Sequence, residues 1–88
     1  MIKQVDIRAV QKDLMKTPKA LVIKWVDDIE KYGLEEVRKV RGWQDHTLKG
    51  DHAGQRAIYL NKSWRAVYVI EGGEVKIVKV IEVHPHEY

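Results

Sequence analysis

The stretch that decides the fold runs from Arg56-Ala57-Ile58-Tyr59-Leu60 through Asn61-Lys62-Ser63 to Trp64-Arg65-Ala66-Val67-Tyr68-Val69-Ile70-Glu71 and Gly72-Gly73. β-Branched and aromatic residues dominate both apolar runs, and short clusters of turn-forming residues separate them. The reading is a first strand over 56–60, a second over 64–71, and a tight Gly-Gly hairpin into a third over 74–83. Three strands in sequence, joined by short turns, make an antiparallel meander.

Upstream of this stretch the apolar period lengthens from 2 to about 3.6. Leu21, Val22, Trp25, Val26, Ile29 and Tyr32 recur at helical spacing, the stripe of a helix that lies on a sheet. Thr17-Pro18 supplies an N-cap and a first helical residue, and Gly33 the C-cap. Leu34, Val37 and Val40 extend the pattern by a turn or two towards Gly42, while Val10 and Leu14 mark a short helix over 8–16. Residues 2–7 read as a first, short strand. The predicted fold class is α+β: a single antiparallel-rich twisted sheet with N-terminal helices packed on one face, formed by residues 1–88 as one domain.

Alternation assigns the sheet faces. With Ile58 and Leu60 towards the helices, Ala57 and Tyr59 point away. In the next strand Trp64, Ala66, Tyr68 and Ile70 point inward, leaving Arg65, Val67 and Val69 on the uncovered side. A cation beside an exposed apolar strip is a surface built to be covered, by a protein partner or by stacked bases.

Composition narrows the classes. The 88 residues suffice for one modest core. The net charge of +3 is a mild basic bias, compatible with a polyanion partner without requiring one. The absence of Cys excludes disulfides, thiolate metal sites and thiol nucleophiles, and fits a reducing compartment. Apolar runs fall short of a signal or membrane segment, so the expected setting is the cytoplasm. His84 and His86, with His46 and His52 upstream, could be read as metal ligands. Pro85 disrupts the geometry that would align the first two, and no carboxylate triad completes a site, so no metal or other cofactor is expected.

Leu48-Lys49-Gly50-Asp51, Gly54-Gln55-Arg56, Ile58, Leu60-Asn61, Trp64-Arg65-Ala66-Val67-Tyr68-Val69-Ile70 and the terminal His86-Glu87-Tyr88 together resemble the RelE/ParE toxin superfamily. Within it the likeness is strongest to RelE/YoeB/HigB-like ribosome-dependent messenger-RNA interferases. That resemblance implies the toxin of a type II toxin-antitoxin system, an endoribonuclease that cleaves messenger RNA in the ribosomal A site. It further implies a cognate antitoxin that holds the toxin in a hetero-oligomer. Arg65 matches the arginine that opens the family's Arg-X-X-Tyr strand, a phosphate-contacting position. Lys49 falls on the basic position of a Leu-basic-Gly motif, and His86 and Tyr88 lie in the segment from which such toxins supply His, Arg or Tyr. His46 stands where YoeB-like members carry a glutamate proposed as base. Tyr59 replaces a basic residue usual at its strand position.

The chemistry needs three roles without a metal: a base for the 2′-hydroxyl, cations for the phosphorus oxygens, and an acid for the departing 5′-oxygen. A guanidinium is always charged and offers a planar fork to phosphate, which selects Arg65, with Lys49 and Arg56 assisting. Histidine suits proton transfer near neutrality, making His86 the expected acid, with Tyr88 as donor or stacking ring. The catalytic set is therefore Arg65, His86, Tyr88, Lys49 and His46, with Arg56, Tyr59 and Lys49 binding substrate. Each has an ordinary alternative: Arg65 as a sheet arginine paired with a carboxylate, Lys49 as a solvated loop lysine. Two other functions fit the same resemblance, a ParE-like DNA gyrase inhibitor and a non-catalytic binding domain.

Overall fold

The computed structural model describes residues 1–15, 18–73 and 75–85. The chain runs β1 (Gln4–Asp6), a 3-10 segment (Arg8–Met15), α1 (Lys19–Tyr32), α2 (Leu34–Val37), β2 (His46–Thr47), β3 (Arg56–Tyr59), β4 (Trp64–Glu71) and β5 (Ile77–Pro85), with two further 3-10 turns at Arg41–Trp43 and Gly50–His52. The sheet order is β1-β5-β4-β3-β2. Among the described residues only the β1–β5 pair is parallel; the remaining pairs are antiparallel. The fold is thus α+β, one mixed five-stranded sheet with its helices on one face.

The helical stripe places Val22, Trp25 and Ile29 in the core, against Ile58, Leu60, Ala66, Tyr68, Val78, Val80 and Val83 of the sheet. Val10 and Leu14 join the same cluster from the 3-10 segment, so this too lies on the helix side. The Trp25 and Tyr68 rings pack beneath α1 with centroids 5.2 Å apart and planes tilted by 49°. Gly33 ends α1 at φ 88°, its N–H donating to Ile29 O at 2.8 Å. That backbone angle suits glycine, and an added Cβ would also meet Met1.

Several expectations change. Pro18 stands just before the first helical residue rather than on it, and Thr17, the expected cap, lies outside the described residues. Tyr32, at the end of the stripe, is 51% exposed, and Val40 is exposed beyond the single turn of α2. The expected Gly-Gly hairpin is replaced: Glu71 pairs with Ile77 and β5 begins there, while Glu74, the expected first residue of that strand, lies outside the described residues. Ile70 keeps the inward parity shared with Val78 yet is 38% exposed. Val67, expected in an exposed apolar strip, is on the uncovered face yet only 2% exposed, as is its fully buried neighbour Ala57. Both are short residues set among longer side chains of that face, His46 and Glu82 sharing their row.

One irregularity governs what that face presents. Ala66 pairs with Val83 and Val67 with Glu82, but Tyr68 pairs with Val80, leaving Ile81 as an extra residue in β5. Val80 and Val83 both reach the core, a spacing that a regular strand forbids. The bulge turns Glu82 and His84 away from the helices and sets His84 directly opposite Arg65.

Candidate functional site

Cross-strand register arranges the uncovered face in rows. Tyr59, Arg65 and His84 form one; His46, Ala57, Val67 and Glu82 form the next. Val69, Lys79 and Asp6 form a third towards β1. Antiparallel partners directly opposite each other project to the same face at about 4.5–5.5 Å between Cβ atoms, so each row is a set of near neighbours.

Arg65 and His84 are in contact: Arg65 Nε donates to His84 Nε2 at 3.3 Å. His84 Nδ1 lies 2.8 Å from Pro85 O. A carbonyl oxygen can only accept, so Nδ1 carries the hydrogen and the neutral ring offers the Nε2 lone pair to Arg65. Glu82 Oε2 lies 3.4 Å from the same Nε2, a partner suited to the protonated ring. The guanidinium thus has one edge engaged by histidine and belongs to no carboxylate pair among the described residues.

His46 follows the same logic. Its Nδ1 donates to Gln44 O at 2.7 Å, which leaves Nε2 as the acceptor of the neutral ring. The Tyr59 ring meets it edge-on, with centroids 6.2 Å apart. His46, Tyr59, Arg65 and His84 therefore share one surface: an acceptor nitrogen, a phenol ring and a cation held by a second imidazole.

Lys49 and Arg56 do not join them. Lys49 is exposed beyond the far end of β2. Arg65 sits opposite Tyr59, whereas that end of the hairpin is at Arg56, three strand steps or about 10 Å away. Arg56 pairs with Tyr68 and lies on the helix side with Ile58, away from Arg65, which it was expected to assist. Its Nε donates to Asp45 Oδ1 at 2.6 Å, and the Tyr68 hydroxyl donates to Asp45 Oδ2. The side chains of Asp45 and Arg56 are 2% and 20% exposed, so this is a part-buried polar network at the margin of the core, which it joins through Tyr68. Burial, then the Asp45 carboxylate, pushes the Tyr68 phenol above its ordinary range, and it stays protonated as the donor. His86 and Tyr88 lie outside the described residues.

Sequence reasoning missed His84 and Glu82 as members of the face, because uninterrupted alternation from Val80 would turn both inward. It also missed Asp45, whose only signal was a lone carboxylate amid the Trp43-Gln44-Asp45-His46 run. At the β1 end, Asp6 accepts from both the backbone N–H and the guanidinium of Arg8. The Arg8 side-chain bond, then its N–H, holds the Asp6 carboxyl down at about 2. Among the described residues no group of three His, Asp or Glu side chains converges as a metal site.

No protein-family model matches the chain. No curated protein sequence matches it either. Solved structures do. A YoeB/ParE toxin from Agrobacterium tumefaciens is 20% identical, with a TM-score of 0.62 over 96% of this chain and 99% of that one. A toxin-antitoxin complex, RelBE2 from Mycobacterium tuberculosis, is similar at 20% identity and TM-score 0.62, over 98% of this chain and 100% of that one. YafQ from Escherichia coli reaches a TM-score of 0.69 at 12% identity, over 94% of this chain and 92% of that one. The fold is one that these toxins share, and the likeness spans nearly the whole length of each of them.

Proposed function

We propose that this chain is the toxin of a type II toxin-antitoxin system and that it acts as an endoribonuclease, cutting messenger RNA in the ribosomal A site. The contact of Arg65 with His84 on the uncovered face, one row from His46, is the observation that carries this reading. The fold it shares with the similar toxins supports the toxin assignment, and the antitoxin in the RelBE2 complex supports a cognate protein partner here.

In this mechanism the ribonucleotide lies across the Tyr59–Arg65–His84 row. The Arg65 fork takes the phosphate oxygens, where it stabilises the charge that accumulates as the 2′-oxygen attacks phosphorus. His46 Nε2, an acceptor by virtue of the Gln44 bond, removes the 2′-hydroxyl proton. Tyr59 offers a ring face for a base. The proton for the 5′-oxygen leaving group comes from the chain's end, with His86 as acid and Tyr88 assisting. The bond from phosphorus to the 5′-oxygen breaks as that to the 2′-oxygen forms, giving a 2′,3′-cyclic phosphate and a 5′-hydroxyl. Lys49 and Arg56 have no direct part at this centre; Lys49 instead suits a phosphate further along the strand or on the ribosome.

The alternative reading is a ParE-like gyrase inhibitor, which the likeness to a YoeB/ParE toxin also accommodates. One assay pair separates the two readings: cleavage of messenger RNA on programmed ribosomes, and inhibition of gyrase supercoiling. Cleavage with cyclic-phosphate ends, and no effect on gyrase, is the expected result. Gyrase inhibition without cleavage would overturn the nuclease reading.

A further inference from the structure

Gln44, Asp45 and His46 are three consecutive residues held in three different ways. Gln44 is the only non-glycine at positive φ among the described residues, at φ 49° and ψ 43°. A side chain disfavours that conformation, so the surroundings must impose it. Asp45 turns to the helix side, where its two oxygens take the Arg56 Nε–H and the Tyr68 hydroxyl. His46 turns out to the uncovered face and donates its Nδ1–H back to Gln44 O.

The covalent geometry links these facts. The oxygen that accepts from His46 belongs to the peptide unit joining Gln44 to Asp45, and the next peptide unit carries His46. Both planes pivot on the Asp45 α-carbon. Fixing the Asp45 side chain therefore fixes both the acceptor and the ring that bonds to it. The ladder alone gives little help, since β2 pairs only His46 with Ala57 and Thr47 with Arg56 at the edge of the sheet. Arg56 and Tyr68 are partners in register on β3 and β4, so the anchor for this edge reaches two strands into the sheet.

Stability is a poor explanation for such a network. Moving charged groups into a core costs desolvation that their mutual attraction often fails to repay, and apolar side chains of similar size generally hold a sheet together at least as well. What the charged arrangement supplies is a defined position.

We propose that Asp45, braced by Arg56 and Tyr68 behind the sheet, is a positioning residue that sets the His46 imidazole on the open face with Nδ1 protonated and Nε2 as the acceptor. The consequence for function rests on the nuclease reading: the acceptor nitrogen is the one that takes the 2′-hydroxyl proton of a ribonucleotide.

The test separates that reading from the brace itself. Tyr68→Phe keeps the ring against Trp25 and removes only the hydroxyl; Asp45→Asn keeps the shape and leaves Arg56 facing an amide. Nitrogen-15 NMR of the His46 ring reports its tautomer without any substrate. The wild type should show the Nδ1–H form, and both variants should shift towards a mixture with the Nε2–H form. On programmed ribosomes kcat should fall roughly 10- to 100-fold while KM stays within about twofold, as expected for a misplaced catalytic group. An unchanged Nδ1–H signal in the folded variants overturns the proposal, even if their melting temperatures drop. Should Tyr68→Phe fail to fold, Asp45→Asn decides alone. If wild-type protein cleaves nothing, the NMR result still stands or falls by itself, and only the function attached to His46 is lost.

Discussion

Arg65 and His84 face each other across β4 and β5, with the guanidinium Nε donating to the imidazole Nε2 at 3.3 Å. Pro85 O holds the other ring nitrogen, so His84 presents a lone pair to Arg65 and orients its fork. Neither residue is part of the helix-side core, which leaves both available to a ligand on the uncovered face.

His84→Ala should therefore act through Arg65. Ribosome-dependent cleavage should fall roughly tenfold, short of the ~10²-fold or greater loss typical of removing a general acid or base. His84→Gln, whose side-chain oxygen accepts from Arg65, should recover most of that loss. Single-turnover rates of the three proteins check this, and equal losses in both variants would assign His84 a proton-transfer role instead.

The buried network makes a stability prediction independent of function. Arg56→Met strands the Asp45 carboxylate with the Tyr68 hydroxyl alone. Breaking a buried pair costs about 3–5 kcal/mol, less where one partner is partly exposed, so about 2–4 kcal/mol is expected here. Tyr68→Phe, which removes one hydrogen bond, should cost about 1–3 kcal/mol. Urea unfolding measures both; a change under about 0.5 kcal/mol for Arg56→Met would show that the pair is not held as described.

Tyr68 also gives a pH dependence of definite sign. Its folded pKa is raised above the ordinary value of 10.0, by burial first and then by Asp45. The unfolded chain then loses that proton at lower pH than the folded one, so the contribution to stability is complete below about pH 10 and fades as pH rises through the folded value. Melting temperature should decline above pH 10 in the wild type, and less steeply in Tyr68→Phe. Matching slopes would contradict the buried phenol.

At the other end of the scale Asp6 is lowered from 3.8 to about 2 by Arg8. A depressed carboxyl stabilises above its unfolded pKa, and that contribution is lost as pH falls from about 4 through 2. Asp6→Asn should flatten the acid limb of the stability curve across that window, read by thermal melts at intervals of pH.

Much of this was legible in the residues themselves. The alternation from Trp64 to Val69 placed Ala66 and Tyr68 inward and Arg65 outward, and the spacing of Val22, Trp25 and Ile29 marked the covering helix. What failed was whatever depends on local departures from period. The extra Ile81 in β5 inverts the parity of Glu82 and His84, and no composition signal announces a bulge made of ordinary β-formers. Arg56 shares the inward parity of Ile58 and Leu60, but alternation gives no sign of the Asp45 carboxylate that meets it there. β2 is two residues long, too short to carry a pattern, so the role of Asp45 emerges only from its partners. Val67 was placed on the right face, but its burial depends on longer neighbours drawn from other strands.

The central claim is that Arg65 handles a phosphate on the uncovered face. Its most direct test is single-turnover cleavage of messenger RNA on programmed ribosomes by the wild type and by Arg65→Ala, with melting temperatures measured alongside. The prediction is a loss on the order of 10² to 10³ in rate with little change in stability, since the side chain lies outside the packed core. Cleavage by Arg65→Ala at the wild-type rate would contradict it.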